Sequence, residues 1–107
     1  MTSVAATLEW LDARTPAPPP ELRSRMADAL APAQTLPGAL AEAALSCLQA
    51  ALARGGDRAA ALDLLAADAL LTYAMEAAAE AGAEALAAAA DAYGSARLAA
   101  LRPESQK

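Results

Sequence analysis

The chain has 107 residues, is 57% hydrophobic and 20% charged, and carries a formal net charge of −5. That excludes intrinsic disorder, which combines low hydrophobicity with dense charge. The absence of His and the single Cys remove His-based catalysis and nearly all transition-metal sites, and eight scattered basic residues give no surface for nucleic-acid phosphates.

Most of the hydrophobic fraction is Ala and Leu; there is one Val and no Ile, Phe or Asn. Ala is the best helix former, and a chain almost without β-branched or aromatic residues has little from which to build a sheet. The expectation is an all-α fold in one domain over residues 1–107.

The first helix is expected from Ser3 to Arg14, capped by Thr2 or Ser3, with Val4, Leu8 and Leu11 as its apolar stripe and Trp10 at the edge. The Pro-rich connector 15–20 cannot be helix interior and favours an extended segment whose last proline starts the next helix. That second helix runs from Pro20 to Ala31. It points Leu22, Met26 and Leu30 inward and Arg23, Arg25 and Asp28 outward. Pro32 and Pro37 bracket a loop, and Pro37 opens a third helix to Arg54. The apolar face of this helix includes Leu40, Ala44, Leu45, Cys47, Leu48, Ala51 and Leu52. Cys47 reads as a small buried hydrophobe with no basic neighbour in view.

Gly55-Gly56 ends that helix and Asp57 caps a fourth, from Asp57 to Ala81. It holds Leu62, Leu64, Leu65, Leu70, Leu71, Tyr73 and Met75, and reads as the central helix. A fifth stretch covers Glu84 to Leu101, and the tail 102–107 is expected to fray. Asp68, Thr72, Glu76, Glu80 and Glu84 recur every four residues across Gly82, as in one unbroken helix. Such a helix from Asp57 to Leu101 would be about 67 Å long, so a break at Gly82 is expected. The architecture is then a four- to five-helix bundle, mostly antiparallel and up-down.

The acidic stripe Asp68, Glu76, Glu80 and Glu84 is the one clustered ionisable feature. No Lys or Arg lies four residues on from any of these acids, so the stripe reads as a solvated face. A basic partner or a divalent cation is the alternative. Ser24, Ser46 and Ser95 have no His to activate them, and the glycines form no phosphate-binding loop. No catalytic residue, cofactor or metal ligand is assigned.

The run Leu64-Leu65-Ala66-Ala67-Asp68-Ala69-Leu70-Leu71-Thr72-Tyr73-Ala74-Met75-Glu76 resembles a helix of the polyprenyl diphosphate synthases, where a string close to LLAGDALLTYAFE lies in an all-α bundle. Here Ala67 stands where the family has Gly, and Met75 where it has Phe. The resemblance implies a helix bundle. The family's DDxxD motifs, which hold Mg²⁺ for the diphosphate, have no counterpart, since no two acidic residues are adjacent. No role passes to Asp68.

No run reaches the ~20 apolar residues of a membrane-spanning helix. Met1 to Leu11 lacks a basic region and carries Glu9, so it is not read as a signal peptide. The expectation is a cytoplasmic, non-enzymatic helical protein acting through self-association or a helical protein partner, with no nucleic acid and no membrane. A homodimer is expected through the region from Ala77 to Leu101, with Leu86, Ala89 and Tyr93 at the contact. The alternatives are an accessory or degenerate relative of the isoprenoid diphosphate synthases, or a carrier of an apolar ligand.

Overall fold

Polar caps and glycines set the helix boundaries in the computed structural model, which describes residues 1–101. Helix α1 spans Val4–Asp12, and the Ser3 hydroxyl accepts from the Ala6 amide at its start. Helix α2, Pro20–Ala29, begins at a proline whose missing N–H costs nothing there. Helix α3, Leu36–Arg54, starts one residue before the expected Pro37, because the Thr35 hydroxyl caps it by accepting from the Gly38 amide. Helix α4, Arg58–Ala81, is capped by Asp57, whose carboxylate accepts from the Ala60 amide at 2.7 Å. Helix α5, Ala83–Tyr93, and the short α6, Ser95–Ala99, complete the order.

The polar stripe crossing Gly82 does not keep one helix going. Gly82 has φ 120° and ψ 170°, a conformation open to glycine and not to alanine, and it closes α4 and opens α5. The stretch expected from Glu84 to Leu101 is itself divided at Gly94. A Cβ there would lie 2.5 Å from the Ala90 carbonyl oxygen. Among the described residues there is no strand, only a bridge pairing Thr2 with Ala33. The tail 102–107 lies outside the described residues.

The fold is an all-α bundle built on the α3–α4 hairpin. Arg54 at the end of α3 lies beside Asp57 and Asp63, and Thr35 and Gly38 at its start share a groove with Ala81. The two helices therefore run antiparallel. Their interface is mostly alanine: Ala41, Ala43, Ala44, Ala66, Ala67, Ala74 and Ala77 are buried. Larger side chains complete the core from all sides, with Leu11, Met26, Leu40, Cys47 and Leu70 fully enclosed. Val4 and Leu8 of α1 and Leu22 of α2 pack against it, as their spacing indicates.

Several expected core positions are elsewhere. Leu64 and Leu65 are 50% and 60% exposed, and Leu52 is 43% exposed. Leu62, Leu71, Tyr73 and Met75 are half-buried. The inward face of α4 is Ala60, Asp63, Ala66, Ala67, Leu70 and Ala74, so small residues face α3 and much of the leucine faces out.

The reading that no segment could span a membrane also needs correction. By length and composition α3 is long and apolar enough to cross one, with a mean hydropathy of 1.4 over its best window. Glu42 interrupts the apolar run without lowering that average enough to matter. In the bundle 44% of that window is buried against the other helices.

Candidate functional site

Glu76 and Glu80 are not a bare acidic face. Arg14, just past the end of α1, donates from Nη1 to Glu76 Oε2 at 3.0 Å and to Glu80 Oε2 at 2.7 Å. Its guanidinium lies 4.1 Å from the centroid of the Trp10 ring, a cation–π distance. Trp10 Nε1 donates to Glu80, and its ring meets Tyr73 edge-on at 6.0 Å. Arg14 and Trp10 depress the Glu80 pKa below its usual range. The basic partner of the stripe is thus the chain's own first helix, brought from 62 and 66 positions away. Asp68 and Glu84 do not join this cluster and meet no cation among the described residues.

A second cluster lies inside. Arg25, expected on the outward face of α2, instead turns in and donates from Nε to Oδ1 of Asp63. Asp63 is 3% exposed. Its other oxygen lies 3.5 Å from Arg54 Nε. Arg54 therefore works across the α3–α4 turn to Asp57 and Asp63, beyond any effect on its own helix end. Cys47 sits close enough to feel the charges of both Arg25 and Asp63, so a basic neighbour is present after all. Burial dominates and pushes the thiol pKa up, which disfavours a reactive thiolate. This constellation has one carboxylate with two guanidinium partners.

A third set of contacts ties the C-terminal helices to α3. Arg97 Nη2 is 3.4 Å from Glu42 Oε1, and its guanidinium lies 5.7 Å from the Tyr93 ring. Burial and the adjacent Glu42 raise the Tyr93 pKa. Of the residues expected at a dimer contact, Ala89 is 5% exposed inside this chain's own fold. It lines a groove of about 330 Å³ with Gly38, Ala85 and Tyr93. Leu86 is 38% exposed and Tyr93 is half-buried. Ala77 and Ala78 are likewise buried, whereas Ala83, Ala87, Ala88, Ala90 and Ala92 of α5 stay exposed.

The outer side of α4 exposes the two most exposed leucines of the described residues, Leu64 and Leu65. Leu64 and Leu65 form a ridge there between two grooves. One, of about 490 Å³, lies toward α2 and is lined by Glu21, Arg58, Ala61, Leu62 and Leu65. The other, of about 230 Å³, lies toward α3 and α6 and is lined by Leu45, Leu48, Leu64, Leu71 and Leu98. The placement follows from α4 packing its small residues inward. The signal in the sequence is the pairing of Leu with Ala around the helix, where side-chain size does not track depth. Among the described residues no three His, Cys, Asp or Glu side chains converge to hold a metal ion. No family model, curated protein or solved structure matches the chain.

Proposed function

We propose that this chain is a non-enzymatic helical module that acts through self-association, with the outer face of α4 as its contact surface. The observation that carries this reading is the ridge of Leu64 and Leu65, half or more exposed in the N-terminal third of the longest helix and flanked by two grooves. Contiguous exposed apolar surface on a small domain marks an interaction site. A two-fold dimer is the commonest way to cover one. The ionisable groups support the same reading from the other side. Arg14, Glu76, Glu80, Arg25 and Asp63 are engaged with each other in holding the helices together.

Solution mass by light scattering tests the reading. The wild type is expected to run as a dimer, and Leu65→Glu as a monomer with unchanged helical circular dichroism. A wild-type monomer at high micromolar concentration overturns the proposal.

A further inference from the structure

The outer face of α4 carries a pattern that specifies which way round a second copy would lie. Arg58, Ala61, Leu65, Asp68 and Thr72 are all exposed. They are spaced alternately three and four residues apart, the spacing of a coiled-coil seam. The opposite face, with Asp63, Ala66, Leu70 and Ala74, is the one buried against the bundle. A helix with this spacing on its open side meets another helix at a shallow crossing angle.

The seam is complementary to its own reverse. Mirrored about position 63, Arg58 exchanges with Asp68, and Ala61 exchanges with Leu65. Two copies laid antiparallel across a two-fold axis at that level would stack four layers. Arg58 faces Asp68 of the second copy, Ala61 faces Leu65, Leu65 faces Ala61, and Asp68 faces Arg58. Each inner layer sets a large side chain against a small one, and each outer layer sets a cation against an anion. Leu62 and Leu64 are also related by the mirror and flank the inner layers. The parallel arrangement sets Arg58 on Arg58 and Asp68 on Asp68, which is repulsive at both ends.

The charges are available for this pairing. Asp68 meets no cation among the described residues. Arg58 approaches Glu21 at 3.9 Å, but the two side chains are 90% and 70% exposed, so water screens the pair and leaves the guanidinium free to turn. We infer that the occupant of the α4 face is a second copy of this chain, docked antiparallel in the register that pairs Arg58 with Asp68. This rests on the self-association reading and adds the orientation and the charge code.

Charge exchange tests it, read by sedimentation equilibrium at low ionic strength. Arg58→Asp and Asp68→Arg, each alone, put like charges into both outer layers and should each weaken dimerisation about tenfold. The double variant restores both layers and should recover the wild-type dissociation constant. An equimolar mixture of the two single variants should form a heterodimer, because each supplies the charge that the other lacks. Both positions are exposed, and circular dichroism checks that every variant is folded. If a single variant fails to fold, a dimer of the Ala61→Cys, Leu65→Cys protein cross-linked by disulfide serves the same purpose. Its absence under oxidation counts against the register. A dimer broken by Leu65→Glu but indifferent to both charge variants, or not rescued by the double variant, overturns the antiparallel register and leaves self-association standing. A wild-type monomer overturns both.

Discussion

Arg25 donates from its Nε to a carboxylate, Asp63, that lies almost wholly inside the bundle. The pair joins the middle of α2 to the inward face of α4, across 38 positions of sequence. Removing one partner of a buried ion pair strands the other. Asp63→Ala is therefore expected to lower stability by about 2–4 kcal/mol, below the upper end for such pairs because the Arg25 side chain keeps 25% exposure. Urea unfolding of Asp63→Ala, Arg25→Met and the Arg25→Met, Asp63→Leu pair measures the coupling. The double variant should be more stable than Asp63→Ala, since it leaves no unpaired charge. A double variant as unstable as the sum of the singles would show that the ion pair is not what holds α2 in place.

Leu70 faces the bundle and Leu64 faces outward on α4, at 0% and 50% exposure. Leu70→Ala leaves a cavity beside α3 and should cost about 2–5 kcal/mol. Leu64→Ala should change the stability of the monomer by less than about 1 kcal/mol. Thermal unfolding at a concentration low enough to avoid association compares them directly. Equal losses at the two sites would mean that α4 is rotated from the orientation described.

Acid should weaken the clasp between α1 and α4. Arg14 first, and then Trp10, hold the Glu80 pKa below its usual 4.5. Arg23 likewise lowers that of Asp12, which it meets at 2.8 Å. A carboxyl with a depressed folded-state pKa stabilises the fold fully above its unfolded-state pKa. That contribution is lost as pH falls through the lower, folded value. The wild type should therefore lose stability between about pH 5 and pH 3, and Glu80→Gln should lose less over the same window. Parallel urea midpoints for the two proteins across that range would contradict the assignment.

Gly82 separates α4 from α5 through a backbone conformation that side chains disfavour. No atom lies within 4 Å of where its Cβ would be, so the obstacle is torsional and not steric crowding. Gly82→Ala should cost about 1–3 kcal/mol. Gly56→Ala, also in open space but without a positive φ, should stay within about 0.5 kcal/mol of wild type. Denaturation of the two variants side by side isolates the conformational effect.

Local signals made the helices legible. Ser3 and Asp57 cap where their side-chain chemistry indicates, Pro20 opens α2, and Gly55 and Gly82 end α3 and α4. What failed was inference about depth and long-range pairing. Arg25 reads as outward because charge normally seeks water, and only the fold brings Asp63 to it. Arg14 and the stripe residues Glu76 and Glu80 are too far apart in sequence for any helical spacing rule to join them. Leu64 and Leu65 read as core because they are large. The α3–α4 contact instead selects Ala66, Ala67 and Ala74, whose short side chains let two helices pack closely. Ala89 is taken up in the same kind of packing, while Leu86 on the same helix stays exposed.

An interior lined by alanine inverts the usual vulnerability of a protein core. At Ala41, Ala66, Ala74 and Ala78, each 0% exposed, there is almost no side chain to delete, so truncation does little damage by way of cavities. Nearly every substitution open to these sites adds atoms where neighbouring backbones leave no room, and overpacking destabilises in its own right. The sequence of α3 and α4 is thus constrained from above, by maximum volume, and the larger the side chain introduced at these positions, the greater the expected loss of stability.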